Sequence, residues 1–122
     1  MARSTFDGPI RIRRGSTVTQ TTSRSTGVTI NAPAGVITTD ATSLAAGAEA
    51  TFTVTNSYVT ATSVPVIAMA SGATALTSVP IVSAVAAGSF DIRLTNLAAA
   101  TADTAAMVIN FIVFNGSNAE KG

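Results

Sequence analysis

The sequence predicts an all-β fold: an antiparallel jelly-roll, a β-sandwich of about eight short strands, with an extended N-terminal arm. Three observations lead there. Runs of alternating apolar and polar residues recur along the chain, the period-two pattern of a strand with one buried face. Glycine- and proline-bearing turn signals separate these runs at the spacing of all-β sandwiches. Thr, Val and Ile, whose branched side chains favour the pleated conformation, carry much of the bulk, while aromatics make up 5% and Trp is absent.

Taken in order, residues 1–16 differ in character from the rest of the chain. They hold Arg3, Arg11, Arg13 and Arg14, the Gly8-Pro9 break, and only Phe6, Ile10 and Ile12 as larger apolar groups. The alternation of Arg11, Ile12 and Arg13 suits an extended segment, so 1–16 is read as an arm. The β-sandwich body covers 17–116 and a short C-terminal tail covers 117–122.

Within the body, Thr17 to Thr21 alternates around Val18, and Val28 and Ile30 share a face in the next run. Ala32-Pro33-Ala34-Gly35 reads as a turn before Val36 to Thr39. After the Ala45-Ala46-Gly47 turn, Ala48, Ala50, Phe52 and Val54 face one way, and Glu49, Thr51, Thr53 and Thr55 the other. Asn56 and Ser57 end that strand. Val64 to Met69 is the next run, its Pro65 marking an edge strand or a strand start. Val79 to Val85 carries Pro80, and Ala86-Ala87-Gly88 turns the chain into the alternating Phe90, Ile92 and Leu94. The alanine-rich stretch Leu97 to Ala106 favours helix by propensity. It is interrupted by Thr101 and Thr104 and is short for an isolated helix, so a loop or single turn is expected. Met107 to Phe114 is apolar on both faces and predicts a strand buried on both sides. A weak internal echo links Ala45-Ala46-Gly47, followed by a strand ending Thr55-Asn56, with Ala86-Ala87-Gly88, followed by one ending Thr95-Asn96.

Charged residues amount to 11% of the chain, far below the ~25% of an average soluble domain. A monomer with so bare a surface risks poor solubility, so part of the surface is expected to be covered by copies of the same chain. Met107, Ile109, Phe111 and Val113 are the candidates for that oligomer interface. The charges are also uneven. The first 24 residues carry five arginines against Asp7; the rest carries Arg93 and Lys121 against five carboxylates.

Catalysis has little to draw on. There is no His and no Cys, which removes the usual general base, the thiolate nucleophile and the commonest metal ligands. Asp7, Asp40, Glu49, Asp91, Asp103 and Glu120 are dispersed, and no phosphate-binding glycine motif occurs. The expectation is a protein that is not an enzyme, with no cofactor, no metal site and no small-molecule substrate. Despite a mean hydropathy of +0.46, the longest apolar stretch, Ala105 to Phe114, is interrupted by Asn110 and falls short of the ~20 residues of a spanning helix. No membrane partner and no signal peptide are expected. Asn115-Gly116-Ser117 matches a glycosylation sequon but reads as a turn.

The arm is where a partner is expected. Arginine forks suit carboxylates on a protein surface, and the interleaved Ile10 and Ile12 gain burial if the segment adds to a partner's sheet. Phosphate contacts are the weaker alternative, because a single cluster with Phe6 as its one nearby aromatic is a poor nucleic-acid signature. A solvated tail is the inert reading. The candidate partner-binding residues are Phe6, Pro9, Ile10, Arg11, Ile12, Arg13 and Arg14.

The segment Phe6-Asp7-Gly8-Pro9-Ile10 resembles the start of many head decoration (cement) or head-fibre proteins of tailed bacteriophages. Thr19-Gln20-Thr21-Thr22-Ser23-Arg24-Ser25-Thr26-Gly27-Val28-Thr29-Ile30-Asn31 is similar to a second segment common among them, continued by Gly35-Val36-Ile37-Thr38-Thr39. Ala87-Gly88-Ser89-Phe90 and Val108-Ile109-Asn110-Phe111 fit the closing pattern. The Arg11 to Arg14 stretch departs from the Lys or Ser of typical relatives. The resemblance implies a jelly-roll body, a homotrimer, and a structural role on the outer capsid surface of the virion, after synthesis in the bacterial host cytoplasm. The partner it implies is the major capsid protein. A receptor- or glycan-binding tip module of a phage fibre or tail appendage is the alternative, and Tyr58, the single tyrosine, is thin support for a sugar site.

Overall fold

In a computed structural model, which describes residues 15–72 and 77–115, the chain is all-β with no helix in those residues. Its strands are β1 (Ser16–Thr19), β2 (Val28–Thr29), β3 (Ala34–Thr38), β4 (Glu49–Thr55), β5 (Val64–Ser71), β6 (Ser78–Ala86), β7 (Ser89–Asn96) and β8 (Val108–Phe114). They form two four-stranded sheets, β1-β3-β8-β5 and β2-β4-β7-β6. The alternating stretches expected to be strands are strands, and 97–107 is irregular apart from a bridge between Leu44 and Asp103. Ala34 and Gly35, expected in a turn, open β3 instead.

The sheets are mixed, which corrects the expectation of an antiparallel sandwich. β1 runs parallel to β3 and β2 parallel to β4; the remaining pairs are antiparallel. The cause lies in the path of the chain, which alternates between sheets from β1 to β6. Parallel neighbours need a long crossover between them. Here the crossover from β1 to β3 passes through β2 in the other sheet, and that from β2 to β4 passes through β3.

Alternation decides the core. Phe52 and Val54 of β4 and Phe90, Ile92 and Leu94 of β7 point inward from one sheet; Ile37, Ile109, Phe111 and Val113 meet them from the other, with Met107 beside them. The rings of Phe90 and Phe111 lie 5.8 Å apart at 58°, a tilted contact that ties the central strands of the two sheets. Gly35 stands opposite Phe111, and a Cβ there would come within 2.9 Å of that ring and 2.7 Å of the Ser16 carbonyl oxygen. The glycine makes room for the aromatic.

The internal echo has a structural meaning. β4 and β7 are antiparallel partners, so the turn before one strand lies beside the end of the other. Gly47 N donates to the Asn96 carbonyl and Asn56 N to the Gly88 carbonyl, each at 2.9 Å. Both glycines have left-handed φ, +75° and +85°, which a Cβ disfavours. Both asparagines are fully buried and act alike. Asn56 donates to Ala32 O and accepts from Tyr58 N, while Asn96 donates to Leu44 O and Thr101 O and accepts from Ala98 N. The repeat is a local two-fold built around one strand pair.

Candidate functional site

Among the described residues the strands carry three charged side chains, Glu49, Asp91 and Arg93, and all three lie on β4 or β7. They point to the outer face of the second sheet, where Arg93 approaches Glu49 at 3.9 Å and Thr53 Oγ1 donates to Asp91 Oδ1 at 2.8 Å. With Thr51, Thr55 and Thr95 between them and the exposed Val79 and Ile81 alongside on β6, they make a mixed surface that carries charge. The first sheet is the opposite. Its strands hold no charged residue, and from Ala50 through Phe90, a stretch that includes β5 and β6, the sequence has none either.

Register turns that composition into a surface. β8 presents Val108, Asn110, Ile112 and Phe114 outward, flanked by β3 and β5. One cross-strand row is Ala34–Ile112–Val66, the next Val36–Asn110–Ala68, and Phe114 pairs with Val64 at the end. Val64, Val66 and Phe114 are 57%, 49% and 51% exposed. Where the rows narrow to Asn110 and Ala68, the sheet surface sinks into a depression of about 140 Å³ beside Val66 and Ile112. Val79 and Ile81 of β6 are also exposed, but their register partners are Thr95 and Arg93, so they lie on the outer face of the second sheet. Single exposed apolar residues are ordinary; on the first sheet several lie side by side with no charge among them. Edge strands β5 and β6 each carry a proline and a register shift, at Met69/Ser71 and Val82/Ala84. Such features blunt open-ended strand pairing. Contact through the face is left open, while endless edge-to-edge growth is resisted.

The interface residues expected from sequence lie elsewhere. Met107, Ile109, Phe111 and Val113 are 0%, 0%, 2% and 7% exposed and face the opposite sheet of their own chain. Within the single chain only one face of β8 is buried; its outward residues are half-buried or exposed, so burial of the second face would fall to a partner surface. Asn110 was the available signal, since the face without a polar interruption is the one a core takes. The charge-free run Ala50–Phe90 was a second signal. The arm residues Phe6, Pro9, Ile10, Arg11, Ile12, Arg13 and Arg14 lie outside the described residues.

A second cluster closes one end of the sandwich. Arg24, counted by sequence with the basic start of the chain, is 3% exposed and belongs to the body. Its Nη2 donates to the carbonyls of Asp103 (3.2 Å) and Ala105 (2.9 Å) and lies 3.8 Å from Asp103 Oδ1, while Nε donates to Thr42 O. The loop above it is clamped by Gln20, whose Nε2 donates to Thr26 O and whose Oε1 accepts from Asp40 N. Thr22 tops this loop at φ +73°, with Ser23 N donating to Thr21 O across it. That is a γ-turn, a strained conformation for a branched residue. Asp40 accepts from the Thr42 hydroxyl and amide, which hold its carboxyl below the usual carboxylate range; Arg24 adds to the effect. The three aspartates among the described residues do not converge on one site. Asp40 caps a turn, Asp103 holds Arg24, and Asp91 sits on the opposite sheet's outer face. Among the described residues no three acidic side chains gather where a metal ion could be held.

No family model matches the chain, and no curated protein or solved structure matches it.

Proposed function

We propose that this is a structural protein that assembles with copies of itself and binds a larger protein shell, acting as a capsid decoration or cement protein. One observation carries the reading: the outer face of the first sheet bears no charged strand residue, while that of the second bears Glu49, Asp91 and Arg93. A free subunit gains from burying the former and keeping the latter in water. In this reading the body is a jelly-roll-type sandwich in which β1 and β2 pair in parallel with their neighbours. Three copies associate through their first sheets, and each second sheet faces solvent. The arm, the residues ahead of β1, extends to the major capsid protein with Phe6 and Pro9 as anchors and Arg11, Arg13 and Arg14 meeting carboxylates. Each contact is modest, and repetition over a symmetric shell multiplies weak contacts into firm attachment.

Deleting residues 1–14, which removes every proposed contact residue and leaves β1 whole, tests the shell contact. Purified full-length protein is expected to co-sediment with capsids that lack it, and the truncated protein to stay in the supernatant while keeping its self-association. Equal binding by both proteins would show that the arm is not the attachment.

A further inference from the structure

Asn115 follows the last residue of β8 and ties that end of the strand to the loop between β4 and β5. Its Nδ2 donates to the Tyr58 carbonyl at 3.1 Å, and its Oδ1 accepts from the Ser63 hydroxyl. A carbonyl only accepts, so the amide nitrogen faces Tyr58 and the amide oxygen faces Ser63. The hydroxyl is itself held in place. Ser63 is 7% exposed, and its Oγ accepts from Thr60 N at 2.8 Å while its one hydrogen goes to Asn115 Oδ1. Asn115 is exposed, and it is the one asparagine in the sequence that is followed by glycine.

We propose that Asn115 is a site of self-modification, deamidated by its own backbone with the Ser63 hydroxyl steadying the charge that develops on Oδ1. The Gly116 nitrogen attacks Asn115 Cγ and forms the N–Cγ bond of a succinimide ring. The Cγ–Nδ2 bond breaks, and the amide nitrogen leaves as ammonia with the proton given up by the Gly116 nitrogen. Water then adds to either ring carbonyl and opens the succinimide to aspartate or isoaspartate. Glycine favours the attack because it sets no Cβ beside the attacking nitrogen. A donor fixed at the developing oxyanion lowers the barrier further. The product changes the end of β8 in two ways. The Nδ2 donor is lost, so a carboxylate oxygen meets the Tyr58 carbonyl, acceptor against acceptor, and the loop is released. A negative charge also appears next to Phe114, on a sheet whose strands carry none.

The test is to incubate the purified full chain at mildly alkaline pH and follow the tryptic peptide Leu94–Lys121 by mass spectrometry. Conversion of Asn115 to a mixture of aspartate and isoaspartate is the expected result. Its rate should rise with pH, because the attacking nitrogen must lose its proton. Gly116→Ala is expected to suppress the conversion. Ser63→Ala, compared where circular dichroism shows it folded, is expected to slow it about tenfold, equivalent to 1.4 kcal/mol of barrier. Ser63→Thr, which restores the hydroxyl, is expected to recover most of that loss. An Asn115 still intact after prolonged incubation overturns the site. Equal rates in wild type and Ser63→Ala overturn the part given to the hydroxyl. The consequence is tested separately with Asn115→Asp, which is expected to melt below the wild type; equal melting temperatures overturn the release of the loop.

Discussion

Arg24 is the side chain on which one end of the sandwich depends. Its guanidinium joins three loop carbonyls and the Asp103 carboxylate, drawing together the loops around 24, 42 and 103–105. Removing one member of a buried ion pair leaves the other charge in a poorly solvated place, at about 3–5 kcal/mol. Arg24→Met is therefore expected to lower unfolding stability by about that much, read from the urea midpoint at unchanged slope; a loss below ~1 kcal/mol would mean that the loops hold without it. Asp40 gives a smaller, pH-dependent effect. Its folded pKa lies below the ordinary 3.8 because the Thr42 hydroxyl and amide favour the ionised form. The stability it contributes is complete above the unfolded value and is lost as pH falls through the folded one. Asp40→Asn, which keeps an acceptor for Thr42, is expected to flatten the decline of melting temperature below pH ~4, while the wild type declines more steeply. Parallel curves would mean that the carboxyl does not titrate in folding. At this scale the sequence was least legible. By charge Arg24 groups with the basic start of the chain, and only the long-range return of 103–105 shows that its side chain is buried.

Among the elements, much was legible where alternation was clean. β4 and β7 follow their inward Phe52-Val54 and Phe90-Ile92-Leu94 pattern, and the prolines of β5 and β6 fall on edge strands. The echo of Gly-turn and Thr-Asn ending was visible too, and its cause is the pairing of the two strands with each other. What alternation could not supply was partner choice. Nothing in a period of two says that β1 pairs with β3 in parallel, because that depends on the crossover through the other sheet. Nor does it rank the faces of β8, both largely apolar, except through Asn110. Asn56 and Asn96 secure the two ends of the β4–β7 pair, each fully buried and satisfied by backbone groups. Alanine at either site leaves buried loop groups without partners, at ~1–3 kcal/mol. We expect similar losses for Asn56→Ala and Asn96→Ala by urea unfolding; a large loss for one and none for the other would dissolve the two-fold.

For the molecule as a whole, the asymmetry of charge between its two outer faces is what links sequence to the proposed function. Low charge was plain in the composition, and it pointed to a covered surface before any strand was placed. Which surface was not plain, since the choice requires the register that sets Val64, Val66 and Phe114 side by side and gathers Glu49, Asp91 and Arg93 on the far sheet. The proposed function stands or falls on copies of the chain burying the first sheet's outer face. The deciding quantity is the solution mass of the wild type, of Val66→Glu on that face and of Thr51→Glu on the charged face, across a range of concentrations. A trimer is expected for the wild type and for Thr51→Glu, and a folded monomer for Val66→Glu, because a carboxylate cannot be buried unpaired against apolar neighbours. A wild type that remains monomeric throughout, or a Val66→Glu protein with the mass of the wild-type assembly, would contradict it.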